Sequence, residues 1–332
     1  MPSIKDVARE AGVSTATVSR VLANKPHVRP EVRERVMESV DQLNYRLNRV
    51  AQSLRIQKSN IIGLIVSDIQ NPFFTSVSRA VEDVAYEQGI SVFLCNTDEN
   101  PDKEALYLEL MRDQNVAGII FSPTRKTADA FAEAVTLDMP MVVIDRQVRD
   151  VKVDSVLIDN SEAAYTIVGH LLADGHRRIG ALFGVGSTTG RERRESYIRA
   201  LKDHGIKPSP ELSFFVPAKE ADGYRGANQL LDLAEPPDAL FTSNGLLSAG
   251  ALRAIRERNL VVPDDIAFAS FDETTWTPLV SPGITVYEQP TYEIGQTAME
   301  LLLKRMKDPT RSTREVILNG RLVVRGSCGC NR

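Results

Sequence analysis

Hydrophobic positions follow two different rhythms along this chain. In the first 59 residues they recur at helical spacing: Val13, Val18, Val21 and Leu22 share one face of "GVSTATVSRVL", and Val32, Val36, Val40 and Leu43 share one face of "RPEVRERVMESVDQLNY". Ser3, with Asp6 three residues later, opens an earlier helix, "SIKDVAREAG", and Gly12 suits the position just past its end. Ser14 caps the next helix only two positions on, so the two helices must cross steeply, and Pro30 fits the first turn of a third. From "NIIGLIVSD" onward, short apolar runs take over: "IIGLIV", "ISVFLC", "VAGIIF", "MVVI", "SVLI", "IGALF", "DALF", "IAFAS", "ITVY" and "LVV". Amphipathic stretches separate them, as in Val77, Ala80, Val81, Val84 and Ala85. Strand and helix alternating this often predict parallel sheets covered on both faces. Ten or so strands divide into two α/β lobes, with a ligand expected in the cleft at the carboxyl ends of the strands.

The polar face of "GVSTATVSRVL" carries Thr15, Ala16, Thr17, Ser19 and Arg20 and no acid, whereas a solvated helix normally mixes Glu and Lys. Charge sharpens the contrast. The 332-residue chain has a formal net charge of −4, yet residues 1–59 hold 11 Lys and Arg against 6 Asp and Glu, and the remainder holds 29 against 38. A basic N-terminal segment on an acidic body is expected where one end meets a polyphosphate. Ala8, Gly12 and Val18 supply a small residue at a helix crossing, a glycine in the turn and a β-branched residue behind the second helix, the needs of a helix-turn-helix.

With 42% hydrophobic and 25% charged residues the chain is globular. It has no apolar run of bilayer length, and "MPSIKDVARE" lacks the apolar segment of a signal peptide, so a cytoplasmic location without membrane contact is expected. Neither a repeat nor a terminal heptad predicts coiled-coil assembly. Cys95, in "ISVFLC", reads as a small buried hydrophobe. The terminal Cys328 and Cys330 have no His or acidic cluster near them in sequence, so no metal site and no cofactor are expected. His27, His170, His176 and His204 lack a nucleophile motif, which argues against an enzyme. "GVGSTTG" lacks the Gly-Lys-Ser/Thr ending of a phosphate loop.

The stretch "IKDVAREAGVSTATVSRVLANKPHVRPEVRERVMESVDQLNYRLNRVAQSLR" resembles the DNA-binding headpiece of the LacI/GalR family of bacterial transcription regulators. The resemblance implies that Thr15 and Ala16 face base edges and that Arg20 reads deeper into the major groove. There the arginine fork suits guanine O6 and N7, and the Ala16 methyl suits a thymine methyl. Ser14, Thr17, Ser19 and Asn24 are implied as phosphate contacts. "NRVAQSLR" is similar to the family's hinge helix, with Leu54 as a minor-groove wedge, Arg55 beside it, and Val50 and Ala51 packing two hinges together. This divides the chain into a helix-turn-helix domain over 1–46, a hinge helix and linker over 47–59, and a ligand-binding and dimerisation core over 60–332. The implied N-lobe covers about 60–160 and 290–320, and the C-lobe about 161–289 and 321–332.

The core resembles that of the same family and, more loosely, periplasmic sugar-binding proteins. The implied fold class is a small all-α headpiece plus an α/β core of two doubly wound parallel-sheet lobes, periplasmic-binding-protein-like, type I. Matching positions assign Asn71, Asp145, Arg146, Arg193, Asn244, Asp272 and Gln289 as ligand-bonding groups, with Phe73, Phe74 and Phe271 lining ring faces. Ser122 stands where Asn is often found, Ala218 where an aromatic often stacks, and Gly245 where Asp commonly follows the Asn. A lost acceptor beside Arg146 and Arg193 predicts an electropositive pocket and a sugar acid as ligand. Trp276 is expected near the cleft, either closing over the ligand or packing at its edge. The function implied is a homodimeric repressor of carbohydrate or sugar-acid utilisation genes, binding a palindromic double-stranded DNA operator under control of a small effector. The alternatives are a sugar-binding transport module without DNA function and an α/β enzyme with an appended DNA-binding segment.

Overall fold

The computed structural model describes residues 2–22, 26, 28–45, 59–124, 139–148 and 151–330. They belong to two compact units, Met1–Lys58 and Ser59–Arg332. The first contains α1 (Ile4–Glu10), α2 (Thr15–Leu22) and α3 (Pro30–Gln42). At the start of α1, Ser3 N and Ser3 Oγ both donate to Asp6 Oδ2, at 2.8 and 2.7 Å, which holds the Asp6 carboxyl below its ordinary value. The helix ends at Gly12, whose φ of +63° costs a glycine nothing, and α2 begins three residues later. Val7, Ala8, Ala11, Val18, Val21 and Val36 form the small core that fixes the crossing of the three helices.

The second unit is built from two six-stranded sheets. The first comprises β1 (Ile61–Val66), β2 (Ser91–Asn96), β3 (Ile119–Phe121), β4 (Met141–Ile144), β5 (Asp154–Ile158) and β11 (Glu315–Leu318), in the order β11-β5-β4-β3-β1-β2. The second comprises β6 (Ile179–Gly184), β7 (Ser213–Val216), β8 (Ala239–Thr242), β9 (Ala267–Phe271), β10 (Thr285–Glu288) and β12 (Arg321–Val323), in the order β12-β10-β9-β8-β6-β7. All pairings are parallel except that of β10 with β12. The doubly wound two-lobed core is therefore the architecture expected from the alternating pattern. The strands β7 and β11 escaped it, because each lies at or next to a sheet edge and buries only part of its short length.

Helices flank both sheets: α4 (Pro72–Glu87), α5 (Pro101–Asp113) and α10 (Thr291–Lys307) with the first, and α6 (Asn160–Ala173), α7 (Thr188–Asp203), α8 (Glu220–Leu231) and α9 (Gly245–Glu257) with the second. The chain passes between lobes three times: at Asp159, at Gln289–Pro290 and at Asn319–Gly320. One apolar cluster runs from Ile62 and Val142 through Ile167 of α6 to Phe183 and Phe241, so the lobes share a core at the crossovers.

Close helix contact selects glycine at particular points. A Cβ on Gly295 of α10 would lie 2.4 Å from the Val77 carbonyl oxygen and 2.8 Å from Ala80 Cβ of α4, whereas a Cβ on Gly169 of α6 would meet nothing within 4 Å. Gly295→Ala is therefore expected to destabilise the core by about 1–3 kcal/mol through overpacking. Gly169→Ala should stabilise it by about 0.5–1 kcal/mol through helix propensity. Denaturant unfolding of the two variants checks the pair, and equal shifts would contradict the close α4–α10 contact.

Candidate functional site

In the N-terminal unit, burial of Val18 and Val21 rotates α2 so that Ser14, Thr15, Ala16 and Arg20 are exposed and Thr17 and Ser19 half-buried. Ser14 closes the helix start: its Oγ accepts from Thr17 N at 3.1 Å and meets Thr17 Oγ1 at 2.9 Å. The helix has no acid in its first turn and Arg20 in its last. Its solvent face is therefore short, hydroxylated and cationic. Asn24, Leu54, Arg55 and the rest of 46–58 lie outside the described residues.

In the core, a cavity of about 230 Å³ lies between the lobes, at the carboxyl ends of strands from both sheets. The first lobe contributes Asp68, Asn71, Phe73 and Phe74 after β1, Asp98 and Glu99 after β2, and Asp145 and Arg146 after β4. The second contributes Ser187, Thr189, Gly190 and Arg193 after β6, Ala218 and Lys219 after β7, Ser243 and Asn244 after β8, Asp272 after β9 and Gln289 after β10.

Two guanidinium groups anchor this site, with Arg146 only 6% and Arg193 only 5% exposed. Arg146 Nη1 donates to Glu99 Oε2 at 2.8 Å and to the Pro123 carbonyl at 2.9 Å, Nη2 donates to Glu99 Oε1, and Nε faces Asp145 Oδ2 at 3.2 Å. Arg193 Nε donates to Asn160 Oδ1 at 2.9 Å and Nη1 to the Ser243 carbonyl, while its guanidinium stacks 3.7 Å above the Phe271 ring centroid. Burial lowers the Arg193 pKa, against the pull of Asp272 and Asp145, and burial raises that of Asp145, against the pull of Arg146 and Arg193.

The asparagines do double work. Asn71 Oδ1 caps α4 through Phe73 N at 3.1 Å, and Asn244 Oδ1 caps α9 through Leu247 N at 2.8 Å. No described residue accepts from either Nδ2, so an amide donor remains for a ligand. Asp272 accepts from Gly245 N at 3.1 Å and from Gln289 Nε2. Four lining carboxylates, Asp98, Glu99, Asp145 and Asp272, sit on left-handed backbone with φ of 54°, 57°, 68° and 71°. Non-glycine residues rarely adopt that conformation, and where they do it is often part of a functional site.

Of the core residues singled out in the sequence, Asn71, Phe73, Phe74, Asp145, Arg146, Arg193, Asn244, Asp272 and Gln289 converge on the cavity. Three do not line it. Ser122 is fully buried behind it, meeting Ser67 Oγ at 3.0 Å and donating to Asp145 Oδ2 at 3.4 Å, so it braces a lining carboxylate. Phe271 is covered by the Arg193 guanidinium and supports that cation from below. Trp276 lies within the turn closed between Thr274 and Thr277 and packs on the apolar cluster of Leu252, Ile266 and Phe268.

The expectation of an electropositive pocket is corrected as well. Asp68, Asp98, Glu99, Asp145 and Asp272 outnumber Arg146, Arg193 and Lys219, and Glu99 already occupies the guanidinium edge of Arg146. Lys219 Nζ spans the cleft to Asp68 Oδ2 at 2.8 Å and Asp98 Oδ1 at 2.6 Å. Asp68, Asp98, Glu99 and Lys219 follow short strands, and only the fold shows that those strand ends meet. The "GVGSTTG" loop belongs to the site too: a Cβ on Gly190 would lie 2.2 Å from the Gly184 carbonyl oxygen, so the loop turns tightly and presents Ser187 and Thr189.

Comparison with known proteins places both units. Residues 3–48 match the bacterial regulatory proteins of the lacI family, and residues 168–328 match a periplasmic binding protein-like domain. The chain is 33% identical over 331 residues to the HTH-type transcriptional repressor PurR of Mannheimia succiniciproducens, covering 98% of each. It is also 33% identical over 332 residues to the HTH-type transcriptional regulator KdgR of Bacillus subtilis, covering 98% of this chain and 97% of that one. Among solved structures, the lac repressor dimer bound to operator and the anti-inducer ONPF is similar at a TM-score of 0.87, 27% identity, with 98% of this chain and 99% of that one covered. A LacI family transcriptional regulator from Enterococcus faecium with bound ribose is similar at a TM-score of 0.73 and 29% identity, covering 80% of this chain and 98% of that one.

One buried carboxyl beside the site gives a pH signature. Glu104 of α5 is 1% exposed and accepts from Thr124 N at 2.7 Å, next to the Pro123 carbonyl that Arg146 uses. Burial pushes its pKa up from 4.5 to about 7, with the Thr124 hydrogen bonds pulling the other way. The folded state thus keeps this proton to higher pH than the unfolded chain. The associated stability is complete below about 4.5 and lost as pH rises through about 7. Thermal unfolding between pH 5 and 8 should show wild type losing on the order of 3 kcal/mol more than Glu104→Gln. Parallel profiles for the two proteins would remove this assignment.

Proposed function

This chain belongs to the LacI family of bacterial regulatory proteins, DNA-binding transcriptional repressors with a helix-turn-helix headpiece and a two-lobed effector core, and we propose that its effector is a neutral monosaccharide. The observation that carries the reading is the lining of the cavity. Buried guanidinium groups alternate with carboxylates and amides, supplying paired donors and acceptors for vicinal hydroxyls, and Phe73 and Phe74 give an apolar wall. At about 230 Å³ the cavity is smaller than most pockets for drug-sized ligands, which suits one sugar ring. A sugar acid is disfavoured because its carboxylate would enter beside five lining carboxylates, with Arg146 already paired.

On the DNA side, the assignments carried by the resemblance stand as proposals: Thr15, Ala16 and Arg20 at base edges, Ser14, Thr17, Ser19 and Asn24 at phosphates, and Leu54 with Arg55 in the minor groove. The exposed solvent face of α2 supports the first group. Homodimerisation is supported by the exposed Phe93 and Leu94 of the edge strand β2 and by Leu106 and Leu110 of α5, an apolar surface on the first lobe. The lac repressor in the similar structure is a dimer on its operator. Two headpieces then read a near-palindromic site. A sugar drawn into the cleft favours the closed lobes that the Lys219 bridge to Asp68 and Asp98 also favours, and through that difference it changes operator affinity.

Calorimetry with pentoses, hexoses, aldonic acids and purine bases tests the effector reading. Neutral sugars are expected to bind and Arg193→Ala to weaken them at least about tenfold, since it removes a desolvated charge-assisted donor. Binding confined to acids or bases would overturn it. Lys219→Ala should also weaken the sugar while leaving unfolding little changed. In salt-dependent mobility shifts on palindromic DNA, Arg20→Ala is expected to relax sequence preference while retaining nonspecific binding. Unchanged preference would take Arg20 out of the readout.

A further inference from the structure

Away from the cleft, the end of α6 meets the last turn of the chain. His170 and Asp174 stand one helical turn apart, and Cys328 and Cys330 flank Gly329, whose φ of +83° bends the second thiol back toward the first. His170 Nε2 lies 3.2 Å from Cys328 Sγ and 3.2 Å from Asp174 Oδ2, and the two sulfurs are 2.7 Å apart. One ligand atom from each of the four residues lies within 4.8 Å of all the others. The expectation that no His or acid stands near the terminal cysteines is therefore corrected by the fold, which closes a separation of some 150 residues.

We propose that His170, Asp174, Cys328 and Cys330 form a binding site for one divalent transition-metal ion, best matched by zinc. Two thiolates, an imidazole and a carboxylate form a four-ligand set that suits tetrahedral zinc and is too soft for magnesium or calcium. Bond lengths of roughly 2.0–2.3 Å place tetrahedral ligand atoms about 3.3–3.8 Å apart, so the imidazole contacts at 3.2 Å are nearly in place, and the two sulfurs, 2.7 Å apart, part by about 1 Å around the ion. The surroundings hold the ligands in place: His176 Nε2 lies 3.0 Å from the Cys328 carbonyl oxygen, and Cys328 Sγ lies 3.2 Å from that of Arg325. Because all four positions belong to the protein, the site is structural. Binding releases the two thiol protons to solvent and leaves a net charge of −1 on the ion with its three anionic ligands. The ion ties the segment after β12 to α6, the helix whose first residue, Asn160, holds Arg193 in the cleft.

The test uses untagged full-length protein, purified under reducing conditions, freed of metal and titrated with zinc and then with cobalt(II). One metal per chain is expected, and the cobalt form should show thiolate charge-transfer absorption and the visible bands of tetrahedral coordination. Cys330→Ser and His170→Ala should each weaken zinc at least about tenfold, and Cys95→Ser should leave it unchanged. Cys330 is half-exposed, so its variant keeps the test valid if substitution of the buried Cys328 impairs folding. Substoichiometric zinc in the reduced protein overturns the proposal. So does cobalt absorption that survives Cys330→Ser, or a Cys328–Cys330 disulfide in protein from cells that takes up no metal after reduction.

Discussion

Burying two guanidinium groups in one cleft is the constraint around which the core is arranged. An arginine that is nearly solvent-free must find partners for its donors and a counter-charge, or desolvation costs more than the fold can offset. Arg146 meets this with Glu99, Asp145 and the Pro123 carbonyl, Arg193 with Asn160, the Ser243 carbonyl and the face of Phe271. Each partner comes from a different strand end or helix start, so satisfying the two cations fixes the relative positions of six loops. Ser122 and Glu104 stand behind them, holding Asp145 and the turn at Pro123–Thr124.

That arrangement explains how much could be read from the chain before it was folded. The strands facing apolar layers on both sides, such as β6 and β9, are unbroken runs of buried residues, as is β1 after Ile61, and were plain in the sequence. The strands β7 and β11 mix half-buried with exposed residues over four positions and bury none fully, too short and weak a pattern to distinguish from a loop. At the site, the anchoring residues stood out through the family resemblance. Glu99, the counter-charge of Arg146, and the Lys219–Asp98 pair did not, because a charged side chain just after a strand looks like any surface residue until the other strand ends are present. Trp276 shows the converse error: closeness to Asp272 in sequence did not survive the turn at Thr274–Thr277.

The two units meet their constraints differently. In α1–α3 the core is six small residues, four valines and two alanines, and the local signals of cap, glycine turn and periodicity nearly suffice to specify it. In the core unit, three crossovers and a shared apolar cluster tie the lobes together, so the meaning of a residue depends on segments far away in sequence. The thiol pair at the C-terminus is the extreme case, since its neighbour His170 on α6 stands 158 residues earlier in the chain.

The left-handed backbone at Asp98, Glu99, Asp145 and Asp272 also bears on how such a pocket can diverge. At these positions the chain tolerates Asp, Asn and Gly far better than branched or bulky residues. The accessible exchanges are therefore those that swap an acceptor for a donor, or delete a side chain, without moving the main chain. Related proteins can change which polar groups a ligand must present along a narrow chemical alphabet while the scaffold stays fixed.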